Sequence, residues 1–229
     1  ITYASACQHA SNAVTHEIKA ALNALRINCK TYWHAQPRAV IAPHIQRGAA
    51  MRATQKHVTQ IIRLAESVHH TQPRDVLADF AEIWASAFLS TVQLDKRDEL
   101  LARFHALQEK YEHRHRGIFK SMLAELEQAL TIDPGDVMGQ VFMQIGSPNQ
   151  ARGQVFTPDC LCETMAMLQV GDGDALQKLI DEKGFITVQE PACGSGATVI
   201  AFAKQMMVKG LNYQQHMHAT VIDVDIRAV

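Results

Sequence analysis

The stretch GFITVQEPACGSGATVIAFAKQMMVKG, residues 184–210, decides the fold because its hydrophobic pattern changes from strand to helix across a glycine turn. Its first part, Gly184 to Gln189, is a β-branched run that predicts a strand, and its last part predicts a helix closed by Gly210. A second β-branched run, HATVIDV, extends from His218 to Val224. A strand, a helix and a strand in this order predict a parallel pair with a right-handed crossover, and therefore an α/β domain.

The turn between the first strand and the helix predicts a ligand site. Ligands of open parallel sheets lie beyond the carboxyl ends of the strands, where backbone must approach them closely. Ala192, Gly194 and Gly196 are small, and glycine adopts positive φ without steric cost. Glu190 stands at the tip of the first strand and Asp223 at the tip of the second, so we expect two carboxylates beside the turn.

These carboxylates indicate which class of ligand the turn holds. A carboxylate disfavours a diphosphate but accepts hydrogen bonds from an ammonium group, and Asp223 in its position can accept both hydroxyls of a ribose. The sequence lacks the GKS or GKT of a P-loop, and Ile200 or its neighbours replace the third glycine of a dinucleotide fingerprint. The two signals together describe S-adenosylmethionine, with NAD binding or a noncatalytic α/β domain as the alternatives.

The first half of the chain has a different, helical pattern. From about residue 8 to residue 130 the sequence predicts consecutive helices, with breaks at AQPRAVIAPH and HHTQPRD. One apolar stripe typical of a core-facing helix comprises Leu77, Phe80, Ile83, Trp84, Phe88 and Val92. The segment after Lys96 predicts one long helix, or two in line, interrupted near Gly117 and ended by TIDPGD. We therefore expect a helical domain over residues 1–133 and an α/β domain over residues 134–229.

Composition and charge restrict the location and partners of the protein. The chain has 229 residues, 47% of them hydrophobic, with a net charge of -1, and no apolar run is long enough to span a membrane. Its five cysteines are scattered and the amino terminus lacks a signal-peptide pattern, so we expect a cytoplasmic protein. Residues 1–60 carry seven lysines and arginines against Glu17 alone, a net charge of +6. This basic segment predicts either contact with DNA phosphates or a solvated helical surface.

Three motifs in order resemble those of a known family. GQVFTPDCLCETM from Gly153 to Met165, then EPACGSGATVIAFA, then ATVIDVDIRAV are similar to the motifs of N6-adenine DNA methyltransferases. In particular, they resemble the methylation subunits of type I restriction-modification systems and related single-chain methylases carried by plasmids and phages. The resemblance covers roughly residues 130–229 and includes DVMGQVFMQIGSPNQARGQVFTP. It implies a helical N-terminal domain followed by the start of a Rossmann-like class I methyltransferase domain that uses S-adenosylmethionine.

The resemblance also implies a set of cofactor-binding residues. They are Phe156, Thr157, Pro158, Glu190, Ala192, Cys193, Gly194, Gly196, Asp223 and Val224. Thr157 and its neighbours would contact the methionine part of the cofactor, and Glu190 its amino group. The loop from Ala192 would line the site by backbone, Asp223 would bind the ribose, and Val224 would pack on the adenine. Thr157 also has the side chain to cap a helix beginning at Pro158.

The acceptor site is where the sequence departs from the family. The family binds the target adenine with an Asn-Pro-Pro-aromatic motif, and neither Asn-Pro-Pro nor Asp-Pro-Pro occurs here. The chain begins with Ile and ends soon after the second strand, so we expect a truncated chain with no catalytic residues of its own. We expect no metal site, because the paired histidines lack carboxylate or cysteine partners at a suitable spacing. We expect these residues alone not to methylate DNA, whereas the intact protein does.

Several functions fit the sequence. A site-specific DNA adenine N6-methyltransferase of a restriction-modification or mobile-element system fits best, with DNA and a specificity or restriction subunit as partners. The same fold also serves methyl transfer to RNA or to a protein glutamine. A noncatalytic scaffold or interaction subunit is the alternative from outside the enzymes.

Overall fold

The computed structural model describes residues 44–145 and 157–223, which form a mostly helical chain with one two-stranded parallel sheet. Before the sheet lie the helices α1 (His44–Glu66), α2 (Pro73–Val92), α3 (Arg97–Glu109), α4 (His113–Ile132), α5 (Val137–Gln144), α6 (Asp159–Val170) and α7 (Asp174–Lys183). The sheet region comprises β1 (Ile186–Glu190), α8 (Ala197–Val208), α9 (Tyr213–His216) and β2 (Met217–Val221). The predicted combination of a helical part with a parallel strand pair is confirmed.

The two strands pair in parallel, with Ile186 opposite Met217 and Glu190 opposite Val221. The strand β1 begins later than predicted because Gly184, at φ +83°, ends α7 with a hydrogen bond from its N–H to the Ile180 carbonyl. The strand β2 ends at Val221, earlier than predicted. Backbone pairing continues just beyond it, since Ile222 N–H donates to the Glu190 carbonyl at 2.9 Å. This pairing brings the carboxyl ends of both strands together.

One hydrophobic cluster supports the sheet. The helix α8 contributes Phe202 and the fully buried Met206, and α6, which packs along α8, contributes Ala166 and Val170. Ile186 of β1 joins the same cluster. Gly210, at φ +77°, lies just past the end of α8, so the predicted glycine stop of this helix is confirmed. The cluster fixes α8, and with it the glycine turn that precedes α8, against β1.

The helices α2 and α3 pack against each other. Leu77, Phe80 and Ile83 are buried as predicted, whereas Val92 at the end of the stripe is 72% exposed. The predicted interruption near Gly117 is wrong, because Gly117 lies inside α4. Its position faces solvent, where a helix tolerates glycine at a cost of about 1 kcal/mol relative to alanine.

The helical pattern breaks instead between α3 and α4, at Tyr111. The Tyr111 hydroxyl donates to Asp79 at 2.7 Å, and Arg116 Nε donates to the Tyr111 carbonyl at 3.2 Å. The Tyr111 ring meets Phe119 edge to face at 4.8 Å. These contacts secure a turn whose position the periodicity of the sequence did not indicate. The predicted end of the helix at TIDPGD is confirmed, because α4 ends at Ile132.

The contacts divide the chain into two compact units. Of the described residues, one unit contains 68–121, and the other contains 44–67, 122–145 and 157–223. The predicted domain boundary after residue 133 stays a prediction. No helix in the described ranges is both long and apolar enough to cross a membrane.

Candidate functional site

The candidate site is the glycine turn at the carboxyl ends of β1 and β2. Glu190 is the last residue of β1, and Asp223 lies just beyond the end of β2. Gly194 N–H donates to Asp223 Oδ2 at 2.8 Å, and Cys193 N–H donates to the Ile222 carbonyl at 3.0 Å. The turn is therefore tied to the chain segment that follows β2, and the two predicted carboxylates lie on either side of it.

The two glycines have the backbone that the sequence predicts. Gly194 has φ +51° and Gly196 has φ +85°, both in the left-handed region, where a side chain costs roughly 1–2 kcal/mol. Gly196 N–H closes the turn on the Cys193 carbonyl at 2.7 Å. Gly196 also precedes the first residue of α8, so the turn leads directly into the positive end of that helix dipole.

Glu190 is oriented by two hydrogen bonds. Its Oε1 accepts from Ala192 N–H at 3.0 Å, and its Oε2 accepts from the Thr198 hydroxyl at 2.8 Å. Each carboxylate oxygen has two lone pairs, so both retain capacity for a donor on a ligand. Thr198 was missed by the sequence reasoning, although a hydroxyl residue in the first turn of the helix after the glycines is a usable signal.

Asp136 is a second residue that the sequence reasoning missed. It is the N-cap of α5, where its Oδ1 accepts from Gly139 N–H at 2.8 Å and its Oδ2 accepts from the Ser195 hydroxyl. A Cβ at Gly139 would lie 2.0 Å from Asp136 Oδ2 and 2.6 Å from Ser195 Oγ. The D-x-x-G pattern of DVMG indicates the helix cap, but the contact with the turn depends on the tertiary structure.

Burial dominates the acid–base properties of these groups. It raises the pKa of the Asp136 carboxyl, although the hydrogen bonds from Ser195 and Gly139 act in the opposite direction. Burial, followed by the charges of Asp223 and Glu190, also raises the pKa of the Cys193 thiol. A thiol with a raised pKa is a poor nucleophile near neutral pH.

A charged cleft lies next to the turn, between α6, α8 and the segment that leads into α5. Lys204 Nζ donates to Asp133 at 2.7 Å and to Glu163 at 3.2 Å. Burial alone would lower the pKa of Lys204, but these two carboxylates outweigh it and the pKa is raised. The cavity measures about 50 Å³ and is lined by these charged groups, so it has room for ordered water.

Thr157 is not part of this hydrogen-bond network. It is exposed, and its carbonyl accepts a weak bond from Cys162 Sγ at 3.8 Å. The prediction that Thr157 caps a helix beginning at Pro158 is wrong, because α6 begins at Asp159 with Pro158 as its N-cap. Pro158 has extended backbone, and its carbonyl accepts from Leu161 N–H at 2.9 Å and from Cys162 N–H at 3.2 Å, the second being the first α-helical bond of α6.

Two predicted site residues, Phe156 and Val224, lie outside the described residues.

The Cys162 thiol, at the cleft, is also a weak nucleophile. Burial raises its pKa, and the charges of Asp159 and Asp136 add to the effect. Within residues 44–145 and 157–223, no group of three or more His, Cys, Asp or Glu side chains could hold a metal ion.

Comparison of the chain with models of protein families, with curated proteins and with solved structures gave no match. The interpretation of the site therefore depends on the geometry of the turn and on the motifs quoted above. Both concern the same unit of the chain.

We expect Gly139→Ala to destabilise the fold, because the new methyl group would displace the Asp136 carboxylate and break its two hydrogen bonds. The free energy of unfolding should fall by about 1–3 kcal/mol, the cost of leaving a buried polar group unsatisfied. Urea unfolding followed by circular dichroism measures it. Gly135→Ala is the matched control, since a Cβ there meets nothing within 4 Å. Equal effects of the two substitutions would contradict the predicted clash.

Asp136→Asn should change how stability depends on pH. The Asp136 carboxyl has a raised pKa in the folded wild type, whereas in the unfolded chain its pKa is near 3.8. The native state therefore binds the proton of this carboxyl more tightly than the unfolded state does. Wild-type stability relative to the variant should therefore fall as the pH rises from that value through the native pKa, then stay level. Urea unfolding from about pH 4 to about pH 7 measures the difference. A difference independent of pH would contradict this, and Asp181→Asn on α7 controls for the loss of one carboxylate.

Proposed function

We propose that this chain carries the cofactor-binding part of an S-adenosylmethionine-dependent DNA adenine N6-methyltransferase of a restriction-modification or mobile-element system. The observation that supports this most is the position of Glu190 and Asp223. These carboxylates flank a glycine turn at the carboxyl ends of two parallel strands, where α/β folds bind nucleosides. The sheet of the proposed Rossmann-like domain would begin with β1, α8 and β2.

The electrostatics of the turn favour a cationic or zwitterionic ligand over a diphosphate. Two negative charges beside the turn repel phosphate, whereas an ammonium group can donate to Glu190 and ribose hydroxyls can donate to Asp223. The start of α8 offers N–H groups and the positive end of a helix dipole to a carboxylate. An amino-acid group and a ribose in one ligand match S-adenosylmethionine.

The roles of the residues in this chain concern binding and orientation. When bound, the cofactor supplies a methyl group activated by its sulfonium. Glu190 would hold the amino group, Asp223 the ribose, and the backbone of Gly194 and Gly196 would allow close approach. The chain has no Asn-Pro-Pro or Asp-Pro-Pro segment to bind an adenine acceptor, so the proposal for these 229 residues is limited to the methyl donor.

The helix α1 supports DNA as the partner. Arg52, Lys56 and Arg63 are exposed and share one face, because their spacings of four and seven residues are close to one and two turns of a helix. Val58 and Ile61 are fully buried on the opposite side. The remainder of the basic segment, residues 1–43, lies outside the described residues. The helix α1 belongs to the same unit as the glycine turn and packs on α5.

We expect the chain to bind S-adenosylhomocysteine, the product form of the cofactor, and Asp223→Ala to weaken binding at least about tenfold. This is the loss expected for a hydrogen bond to a charged group, roughly 1.5–3 kcal/mol. Isothermal titration calorimetry gives the affinity, and a thermal melt with ligand gives an independent shift. Asp181→Ala on α7 is the control for removing a carboxylate away from the turn.

Two results would contradict the cofactor proposal. If the wild-type chain neither releases heat nor gains thermal stability with S-adenosylhomocysteine, the proposal fails and a noncatalytic scaffold is favoured. If Asp223→Ala and Asp181→Ala bind equally well, the ligand site is elsewhere.

The choice of DNA is tested through the charges of α1. We expect binding to duplex DNA to weaken with salt, and the double variant Arg52→Gln/Lys56→Gln to lower the slope of log affinity against log salt by up to about 2. Fluorescence anisotropy over a salt series measures the slope. Lys178→Gln/Lys183→Gln, two exposed lysines on α7, is the matched control. Equal slopes in both variants would contradict a contact by α1, and tighter binding of RNA would favour the RNA alternative.

A further inference from the structure

Ser195 is the residue between the two left-handed glycines of the turn. Its hydroxyl donates to Asp136, which lies 59 residues earlier in the chain. This bond joins the turn to the N-terminus of α5. Two further bonds of the turn, to Ile222 and Asp223, join it to the segment after β2. The turn is therefore held from two sides by different parts of the chain.

Asp136 is built into its position. It is only 7% exposed, and its other oxygen is held by Gly139 N–H at the N-cap of α5. The missing Cβ of Gly139 leaves the space in which Asp136 and Ser195 meet. A buried carboxylate is costly unless it is hydrogen-bonded, and one of its two partners here belongs to the turn.

We propose that Asp136 is a positioning residue for the ligand-binding turn and acts through the hydroxyl of Ser195. The identity of the ligand rests on the proposed function. Glycine has more conformational freedom than any other residue type. Because Gly194 and Gly196 flank Ser195, the turn samples more backbone conformations without this bond. With the bond in place, the turn is pre-ordered against Glu190 and Asp223 before the ligand arrives, which lowers the entropic cost of binding.

Cys193 gives a direct measure of this ordering, because it lies in the turn and its side chain is 8% exposed. Opening of the turn exposes the thiol, and the rate of iodoacetamide labelling at Cys193 is read by peptide mass spectrometry apart from the other four cysteines. Four variants of the 229-residue chain are compared with wild type: Ser195→Ala, Asp136→Ala, Ser195→Thr and Asn212→Ala.

Ser195→Ala and Asp136→Ala should each raise the Cys193 labelling rate and weaken S-adenosylhomocysteine binding by about tenfold, the scale of one charge-assisted hydrogen bond. Ser195→Thr keeps a hydroxyl and should label nearly as slowly as wild type. Asn212 caps α9 through Gln214 and Gln215, so Asn212→Ala removes a helix cap without touching the turn. It should lower thermal stability but leave both readouts unchanged.

The outcomes separate the two proposals. Absence of S-adenosylhomocysteine binding in the wild-type chain overturns the proposed function. Labelling of Cys193 that is as slow in Ser195→Ala and Asp136→Ala as in wild type overturns the positioning role, whether or not the cofactor binds. An unchanged affinity in both variants, in a chain that does bind, overturns it as well, and an increase in labelling with Asn212→Ala would show a general loss of stability instead.

Discussion

The hydrogen bond from Gly194 N–H to the Asp223 carboxylate joins two segments that lie 29 residues apart and brings the two strand ends together around one turn. Backbone bonds through Ile222 support it from both directions, to Cys193 and to Glu190. Because β1 and β2 are parallel, both strands end on the same edge, and a side chain that follows one strand can reach the turn that follows the other. The geometry of the candidate site depends on this link.

The charges around the turn follow from this arrangement. Glu190 and Asp223 both lie close enough to raise the pKa of Cys193, after burial itself, so the turn is an electronegative environment. The positive end of α8 meets this environment directly after Gly196. A ligand with an ammonium group, a carboxylate and hydroxyl groups would find a charge or a hydrogen-bond acceptor that suits each of them. A diphosphate would instead be repelled by the two carboxylates. This is why the proposed cofactor is a nucleoside bearing an amino acid.

Local chemistry explains which parts of the fold and site could be predicted. Gly194 and Gly196 have positive φ because their sequence context is a tight turn between a strand and a helix, and that constraint is local. Glu190 lies at the strand tip for the same reason. The predicted helix start at Pro158 and the predicted interruption near Gly117 were wrong, because the helix begins at Asp159 and the break lies at Tyr111. In both places the helix end is set by contacts or backbone geometry that a periodic pattern does not record.

The sequence by itself determined the parallel strand pair, the glycine turn and the two carboxylates, because each follows from the residue types within a few positions. The tertiary structure alone decided that Asp136 meets Ser195 and that Gly139 leaves room for this contact. The contact depends on how the start of α5 approaches the turn that precedes α8. That approach is set by packing across the whole unit, and no short stretch of sequence encodes it.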